Sequence, residues 1–171
     1  MIKNIPVVIL CGGMGTRLVE YTEVRPKPLV EVGGRPILWH IMKHYSQYGF
    51  NEFILALGYK GELIKRYFLD FNSLNQDFTV SLNDGAIRSI SQNHCDPWKV
   101  HLIDTGQITM TGGRLKRLSS MIKQENFLMT YGDGVSDVNL DALLKFHQNN
   151  KGLVTLTAVR PPARFGALEF E

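Results

Sequence analysis

The stretch VVILCGGMGTRL, which runs from Val7 to Leu18, decides the fold. Its first five residues are apolar without alternation, a pattern typical of a parallel strand buried on both faces. Three glycines within four positions follow, and glycine lets backbone N–H groups turn towards an anion. Arg17 adds a forked donor that matches phosphate oxygens. The stretch therefore predicts a buried strand followed by a phosphate-binding loop.

Two common glycine motifs do not fit this loop. A Walker A motif needs Gly-Lys-Ser/Thr at its end, which is absent here. The dinucleotide-binding fingerprint needs a third glycine where the chain has Leu18. A glycine-rich turn between a strand and a helix, with no ligand, remains the alternative at this point.

The composition is that of an ordinary soluble domain. The chain has 171 residues, 44% of them hydrophobic and 20% charged, with a formal net charge of +3. We therefore expect a single domain over residues 1–171 and no binding of nucleic acid, which requires a basic face. Cys11 and Cys95 lie far apart, which is typical of free thiols in a reducing compartment. Without a signal-peptide pattern or a long apolar span, we expect a cytoplasmic protein that does not enter a membrane.

Strand and helix patterns alternate along the chain. Besides the first strand, a second buried strand is predicted at 53–57. Further strands are predicted at 98–105, 127–131 and 153–159, a half-exposed strand at 78–82 and a terminal strand at 165–170, whereas 83–97 are predicted to be irregular. Helices are predicted from Pro36 to about Tyr48, around 63–68, after Gly113 and after Asn139. The alternation indicates an α/β fold, a Rossmann-like, three-layer, open and mostly parallel sheet with helices on both faces.

Two other features have plain alternatives. His40 and His44 lie four residues apart, but Ile41 stands where the zinc-protease motif needs glutamate, so we expect helix-surface residues and not metal ligands. Asp133 follows the strand at 127–131, and in open α/β sheets ligands bind beyond the carboxyl ends of the strands. The glycine loop and Asp133 are therefore expected to meet at one site, although an aspartate at this position could also cap a helix.

Several separate motifs resemble the sugar-1-phosphate nucleotidylyltransferases. They are GGMGTRL at 12–18, Lys27-Pro28, and Tyr131-Gly132-Asp133. The segments PILWHIMK at 36–43, MTGGRLKR at 110–117 and RFGAL at 164–168 are similar to the branch that joins CTP to glucose 1-phosphate. The resemblance extends over nearly the whole chain.

The resemblance implies a reaction and a set of site residues. CTP and α-D-glucose 1-phosphate would give CDP-glucose and pyrophosphate with Mg²⁺, as a precursor for bacterial surface polysaccharide. Arg17, Lys27 and Asp133 would be catalytic, and Asp133 would hold the metal. The nucleotide would be bound by Leu10, Cys11, Gly12, Gly13, Met14, Gly15, Thr16, Arg17, Lys27, Thr109, Arg114 and Gly132.

The chemistry suits these residue types. The attacking group is a phosphate oxygen that is already an anion near neutral pH, so no general base is required. The remaining tasks are to align two polyanions and to stabilise charge on the leaving pyrophosphate. Mg²⁺ commonly uses one or two carboxylates and completes its shell with phosphate oxygens and water, which fits a single Asp133.

The chain departs from the family pattern in two places. Cys11 stands where the family commonly has alanine, a small residue for a small one. The family also continues with a Glu-Lys-Pro segment that binds the sugar phosphate and a later aspartate that shares the metal, and neither occurs before Glu171. We therefore expect the nucleotide-binding part to be present and the sugar-binding part to be missing.

Other functions remain open on the sequence. One is a dinucleotide-binding oxidoreductase, which Leu18 disfavours. Another is a truncated module that binds a nucleotide without catalysis. A different base or sugar is also open, as is assembly into a homo-oligomer.

Overall fold

A computed structural model describes residues 3–13, 25–90, 96–150 and 152–159. The chain divides into two compact units, 1–137 and 138–171, so a single domain over 1–171 stays a prediction. The described residues form strands β1 Val7–Cys11, β2 Glu31–Val32, β3 Arg35–Pro36, β4 Glu52–Leu57, β5 Phe78–Val80, β6 Ile87–Ser89, β7 Lys99–Asp104 and β8 Leu128–Tyr131. They also form helices α1 Ile37–Gln47, α2 Gly61–Leu74, α3 Thr111–Arg117 and α4 Leu140–Asn149, and a 3-10 turn at Lys27–Leu29.

The first unit is built on a four-stranded sheet in the spatial order β7-β4-β1-β8. All three neighbouring pairs are parallel, and β1 pairs with β4 from Val7↔Phe53 to Cys11↔Leu57. Within this sheet the strands follow the chain order third, second, first, fourth. This is the order of the nucleotide-binding half of a doubly wound fold. The predicted open, parallel α/β sheet is confirmed.

Helices cover both faces of the sheet. On one face, Val8 and Leu10 of β1 share a buried cluster with Leu118, which follows α3. On the other face lies Thr130 of β8, which pairs with Ile9 and bonds to the side chain of Tyr45 in α1. Because paired residues of parallel strands point to the same face, α1 and α3 lie on opposite sides. The three-layer prediction is therefore confirmed.

The chain enters α1 through a small hairpin that the sequence analysis did not predict. β2 and β3 pair across Gly33 and Gly34, whose φ values of 58° and 77° suit glycine in a tight turn. Pro36 lies just before the helix, and α1 begins at Ile37. Its buried side chains are Leu38, Ile41, Met42 and Tyr45, so the buried face is rotated from the predicted one, which contained Ile37 and Tyr48.

Two other predictions from the pattern were wrong. Residues 83–97 include strand β6, which pairs antiparallel with β5 and so is not irregular. No strand forms within 152–159, where Leu153 and Leu156 are 99% and 83% exposed. An apolar run favours a strand, but strand formation requires a hydrogen-bonded neighbour. The predicted strand at 165–170 lies outside the described residues.

The second unit contains α4. Asn139 caps this helix, because its side-chain oxygen accepts a hydrogen bond of 2.9 Å from the backbone N–H of Ala142. Near the other end of α4, the His147 ring is 2.9 Å from the Thr155 hydroxyl. Among the described residues of both units, no helix is long and apolar enough to cross a membrane.

Candidate functional site

A cavity of about 400 Å³ opens at the carboxyl ends of the sheet strands. After β1 the chain builds the sheet outwards through β4 and β7, whereas β8 lies on the opposite side of β1. The change of direction between β1 and β8 leaves a crevice, which is where open α/β sheets bind ligands. The cavity lies at this point. Its lining residues are Leu10, Cys11, Gly12, Gly13, Lys27, Pro28, Gln107, Ile108, Thr109, Met110, Thr111, Arg114, Tyr131 and Asp133.

The sequence predicts that the glycine segment, of which the structure describes Gly12 and Gly13, lies beside the segment that follows β8. A backbone hydrogen bond next to these glycines confirms this prediction. The Gly132 N–H donates to the Leu10 carbonyl at 3.0 Å. A Cβ at Gly132 would lie 2.8 Å from the Cys11 sulfur and 3.2 Å from a side-chain carbon of Pro28. Gly132 therefore has a packing role, because only glycine fits at this close approach of the two strands.

Cys11 is buried against this contact. Burial, followed by the charge of Asp133, raises the pKa of the thiol well above its usual range, while the charge of Arg114 acts in the opposite direction. A thiol needs to ionise to act as a nucleophile. Cys11 is therefore a packing residue of the cavity wall and not a candidate for covalent catalysis.

Lys27 and Asp133 lie close together at the cavity. Their ammonium nitrogen and carboxylate oxygen are 3.7 Å apart, and 22% and 44% of the respective side chains are exposed. Lys27 begins a 3-10 turn that follows Pro26, so the backbone leading into the turn is stiff. The structure thus brings together two of the three residues that were predicted to be catalytic.

Arg114 lines the cavity but is only 5% exposed. Its two terminal nitrogens donate to acceptors of the protein, and burial lowers the pKa of the guanidinium from its usual value. Thr109 is also expected to contact the nucleotide. It is half-buried and belongs to the segment between β7 and α3, which lines the cavity. Neither contact is tested by the structure, so both stay predictions.

Several lining residues were missed by the sequence analysis. Gln107, Ile108 and Met110 belong to the segment between β7 and α3, and Ile108 and Met110 are 84% and 81% exposed. The sequence could have indicated these residues, because apolar side chains beside a glycine turn offer a surface on which a planar base can pack. Met14, Gly15, Thr16 and Arg17 lie outside the described residues, and their predicted roles stay predictions.

Of the described residues that line this cavity, Asp133 alone carries a carboxylate that could hold a metal. Among the residues that the structure describes, no group of three or more His, Cys, Asp or Glu side chains could hold a metal ion. Asp133 is partly exposed and has Lys27 as its charged partner. This donor set fits Mg²⁺ only where phosphate oxygens complete the coordination shell.

Asp133 also lines a second cavity, of about 330 Å³. This cavity lies between α1 and the segment 134–136, and the His40, His44 and Tyr45 side chains contribute to its wall. Asp133 thus lines both cavities. Such a position suits a group that contacts two reacting molecules.

Comparison with known proteins gives consistent matches. The family described as nucleotidyl transferase matches residues 6–171. The glucose-1-phosphate cytidylyltransferase of Salmonella typhi is 50% identical over 165 residues, which are 96% of this chain and 64% of that protein. A probable glucose-1-phosphate cytidylyltransferase of Bacillus subtilis is 46% identical over 164 residues, again 96% and 64%. The chain thus spans less than two thirds of these relatives.

Solved structures share the fold. HddC from Yersinia pseudotuberculosis is 26% identical, with a TM-score of 0.61 over 83% of this chain and 53% of that chain. A structure of HddC complexed with GMP-PN matches with a TM-score of 0.59 over the same shares. The UTP-bound UGPase from Acinetobacter baumannii is 18% identical, with a TM-score of 0.60 over 88% and 54% of the two chains, and it supports the fold alone.

Proposed function

The chain belongs to the nucleotidyl transferase family, and from that premise we propose that it transfers a cytidylyl group from CTP to α-D-glucose 1-phosphate. The products are CDP-glucose and pyrophosphate. The names of the Salmonella typhi and Bacillus subtilis relatives support this choice of base and sugar. A cytoplasmic location and a supply of precursor for surface polysaccharide belong to the same proposal.

The observation that carries the proposal is the position of Lys27 and Asp133. They lie 3.7 Å apart at a cavity that the glycine segment also lines, at the switch point of a parallel sheet. An amine and a carboxylate at this place are suited to a polyphosphate and its counter-ion.

The triphosphate lies in the larger cavity in this proposal. Backbone N–H groups of the glycine segment and the Lys27 ammonium contact its phosphates, and Arg17 adds a forked donor. Asp133 would hold Mg²⁺ together with phosphate oxygens, and the ion would supply positive charge against the charge that develops on pyrophosphate. The part of the residues named above is to hold the α-phosphate in a fixed position and to stabilise the leaving group.

The transfer is direct in this scheme. A phosphate oxygen of the sugar phosphate forms a bond to the α-phosphorus while the bond to pyrophosphate breaks. In this scheme no covalent intermediate forms on the protein, and the buried Cys11 thiol, whose pKa is raised by burial, takes no part in the transfer. The acceptor carries its own negative charge, so no side chain has to remove a proton.

A titration of CTP against the wild type and an Asp133→Asn variant tests the proposal. Wild type should bind CTP more tightly with Mg²⁺ than with EDTA, whereas the variant should bind equally in both conditions. Asp137→Asn, which changes an exposed carboxylate beyond the larger cavity, is the control. An unchanged Mg²⁺ dependence in Asp133→Asn would remove Asp133 from the metal site.

The substrate is tested separately by mass measurement of the product. The chain is incubated with glucose 1-phosphate and each of the four nucleoside triphosphates, and the mass of any sugar nucleotide identifies the base. Formation of CDP-glucose supports the proposal. Tight binding of CTP without product supports the alternative of a nucleotide-binding module, and a different product mass supports another base.

A further inference from the structure

The Arg114 guanidinium joins the carboxyl ends of three parallel strands. Nη1 donates to the Leu57 carbonyl at 2.8 Å and to the Thr105 hydroxyl at 2.7 Å. Nη2 donates to the Gly12 carbonyl at 2.9 Å and to the Gln107 carbonyl at 3.3 Å. Leu57 ends β4, Gly12 follows β1 and Thr105 follows β7. The four N–H groups on these two nitrogens are thus all used within the protein.

The backbone leaves space for this guanidinium. A Cβ added at Gly12 would lie 2.2 Å from Nη1, and a Cβ added at Gly58 would lie 2.6 Å from the same atom. No side chain other than hydrogen fits at either position while Arg114 stays in place. Two glycines on different strand ends are therefore matched to one arginine.

The bond to Gly12 also fixes the direction of the glycine segment. In a trans peptide the C=O of one residue and the N–H of the next point in opposite directions. Because the Gly12 carbonyl points at Arg114, the Gly13 N–H points away from it. The same guanidinium holds Gln107, so one side chain sets the position of two walls of the cavity.

We propose that Arg114 is a positioning residue of the nucleotide site, which holds the Gly12 wall and the Thr105–Gln107 wall at one separation without itself bonding to the base. This inference rests on the proposed nucleotide binding. It differs from the expectation that Arg114 contacts the nucleotide, because the terminal N–H groups that would make such a contact already have protein acceptors. Arg114 therefore influences the affinity for the ligand by fixing the positions of the two walls.

The experiment compares wild type with Arg114→Lys, which keeps the charge but cannot bond to three strand ends at once. Amide hydrogen exchange is measured without ligand at Thr105, whose N–H bonds to Leu57, and at Gly132, whose N–H bonds to Leu10. Leu55, in the centre of β4, reports on the core. We expect the exchange of Thr105 and Gly132 to become at least about tenfold faster while that of Leu55 stays the same.

Ligand affinity is measured on the same proteins with CTP and with inorganic tripolyphosphate, which has no base. A positioning role predicts that Arg114→Lys weakens both by a similar factor, about tenfold. Lys116→Gln is the matched control, because Lys116 is an exposed cation on α3 and lies outside the cavity lining. It should leave exchange and both affinities unchanged.

Two results would overturn the inference. If only CTP affinity falls and exchange in the free protein is unchanged, Arg114 contacts the base. If Leu55 exchanges faster to the same extent as Thr105, Arg114 has only a general structural role. Failure of the wild type to bind either ligand would reject the proposed function, and the exchange data would still decide whether Arg114 holds the strand ends.

Discussion

At the scale of single residues, the distance between the Lys27 ammonium and the Asp133 carboxylate is too long for a hydrogen bond between charged groups. At 3.7 Å the two groups attract each other but do not form the 2.7–2.9 Å contact that is typical of charged hydrogen bonds. Each group is therefore available to a further partner of opposite charge. A triphosphate would take the ammonium and its counter-ion would take the carboxylate.

Lys27→Met should weaken binding of CTP and UTP by a similar amount, about 1.5–3 kcal/mol, because a phosphate contact carries no information about the base. Calorimetric titration with both nucleotides measures the effect. Lys65→Met, which removes an exposed lysine from α2, is the control and should change nothing. A tenfold change in the CTP-to-UTP preference at unchanged overall affinity would contradict the phosphate role. Arg17→Met is expected to behave as Lys27→Met does.

Gly12 and Gly13 offer a matched pair of substitutions. A Cβ at Gly12 meets the Arg114 guanidinium, whereas a Cβ at Gly13 has no described residue within 4 Å. Gly12→Ala should lower the free energy of unfolding by about 1–3 kcal/mol, and Gly13→Ala should leave it within about 0.5 kcal/mol of wild type. Urea unfolding at pH 7 checks both. Equal effects of the two variants would show that Arg114 can move without cost.

At the scale of elements, Glu52 of β4 links two parallel strands at the end of the sheet away from the cavity. Its carboxylate is 3.0 Å from the Lys99 ammonium and 3.0 Å from the His101 ring, both on β7. Hydrogen bonds from His101 and then from Lys99 lower the pKa of Glu52 below its ordinary value of 4.5. The stabilisation is therefore complete above that ordinary value and is lost as the pH falls towards the lower, folded-state value.

Glu52→Gln should reduce the free energy of unfolding at pH 7, and the difference from wild type should shrink as the pH falls below about 4.5. Denaturant unfolding at a series of pH values measures this change. His101→Gln should lower the stability by an overlapping amount, so the double variant should be less than additive. A difference between wild type and Glu52→Gln that does not vary with pH would show that Glu52 acts through packing alone.

The sequence allowed the prediction of those strands whose burial shows directly in their residues. β1, β4 and β8 are short apolar runs, and β1 and β4 are buried almost throughout, so their type and position could be inferred. Residues 153–159 have a similar pattern but no strand forms there, because pairing depends on a neighbour that the local sequence does not reveal. β6 was missed because its three residues carry too short a pattern.

Site residues could be predicted where a residue type suited to phosphate or metal binding directly follows a predicted strand. Asp133 and the glycine segment could be placed at one edge because both follow parallel strands. The hydrogen bonds of Arg114 could not be inferred from the sequence. Three of its acceptors are the backbone carbonyls of Leu57, Gly12 and Gln107, and a backbone carbonyl is present at every residue. The matching glycines at 12 and 58 were visible, but their common partner was not.

At the scale of the whole molecule, β8 forms one edge of the sheet. Among the described residues of the first unit, β8 pairs with β1 alone. Met129 and Tyr131 are 44% and 57% exposed. Unpaired backbone groups beside exposed apolar side chains favour pairing with a second chain. If the chain forms a homo-oligomer, which the sequence leaves open, this edge is the surface on which we expect it to form.

Met129→Lys should lower the apparent mass of the chain at high concentration, because a lysine on an edge strand opposes pairing. Light scattering over a concentration series measures it. Leu82→Lys, a matched change at a residue that is 93% exposed in the turn between β5 and β6, should leave the mass unchanged. A wild type that stays monomeric at all concentrations would reject association through β8.

The position of β1 in the sheet also bears on how the chain is made. β1 leaves the ribosome before the other strands of its sheet, and β8, its neighbour on the side away from β4, follows about 120 residues later. At a synthesis rate of about 5–20 residues per second, β8 would be made about 6–24 s after β1. Pairing over such a sequence distance is intrinsically slow. The nascent chain therefore depends on β4 and α1, or on a chaperone, to shield β1 until synthesis reaches β8.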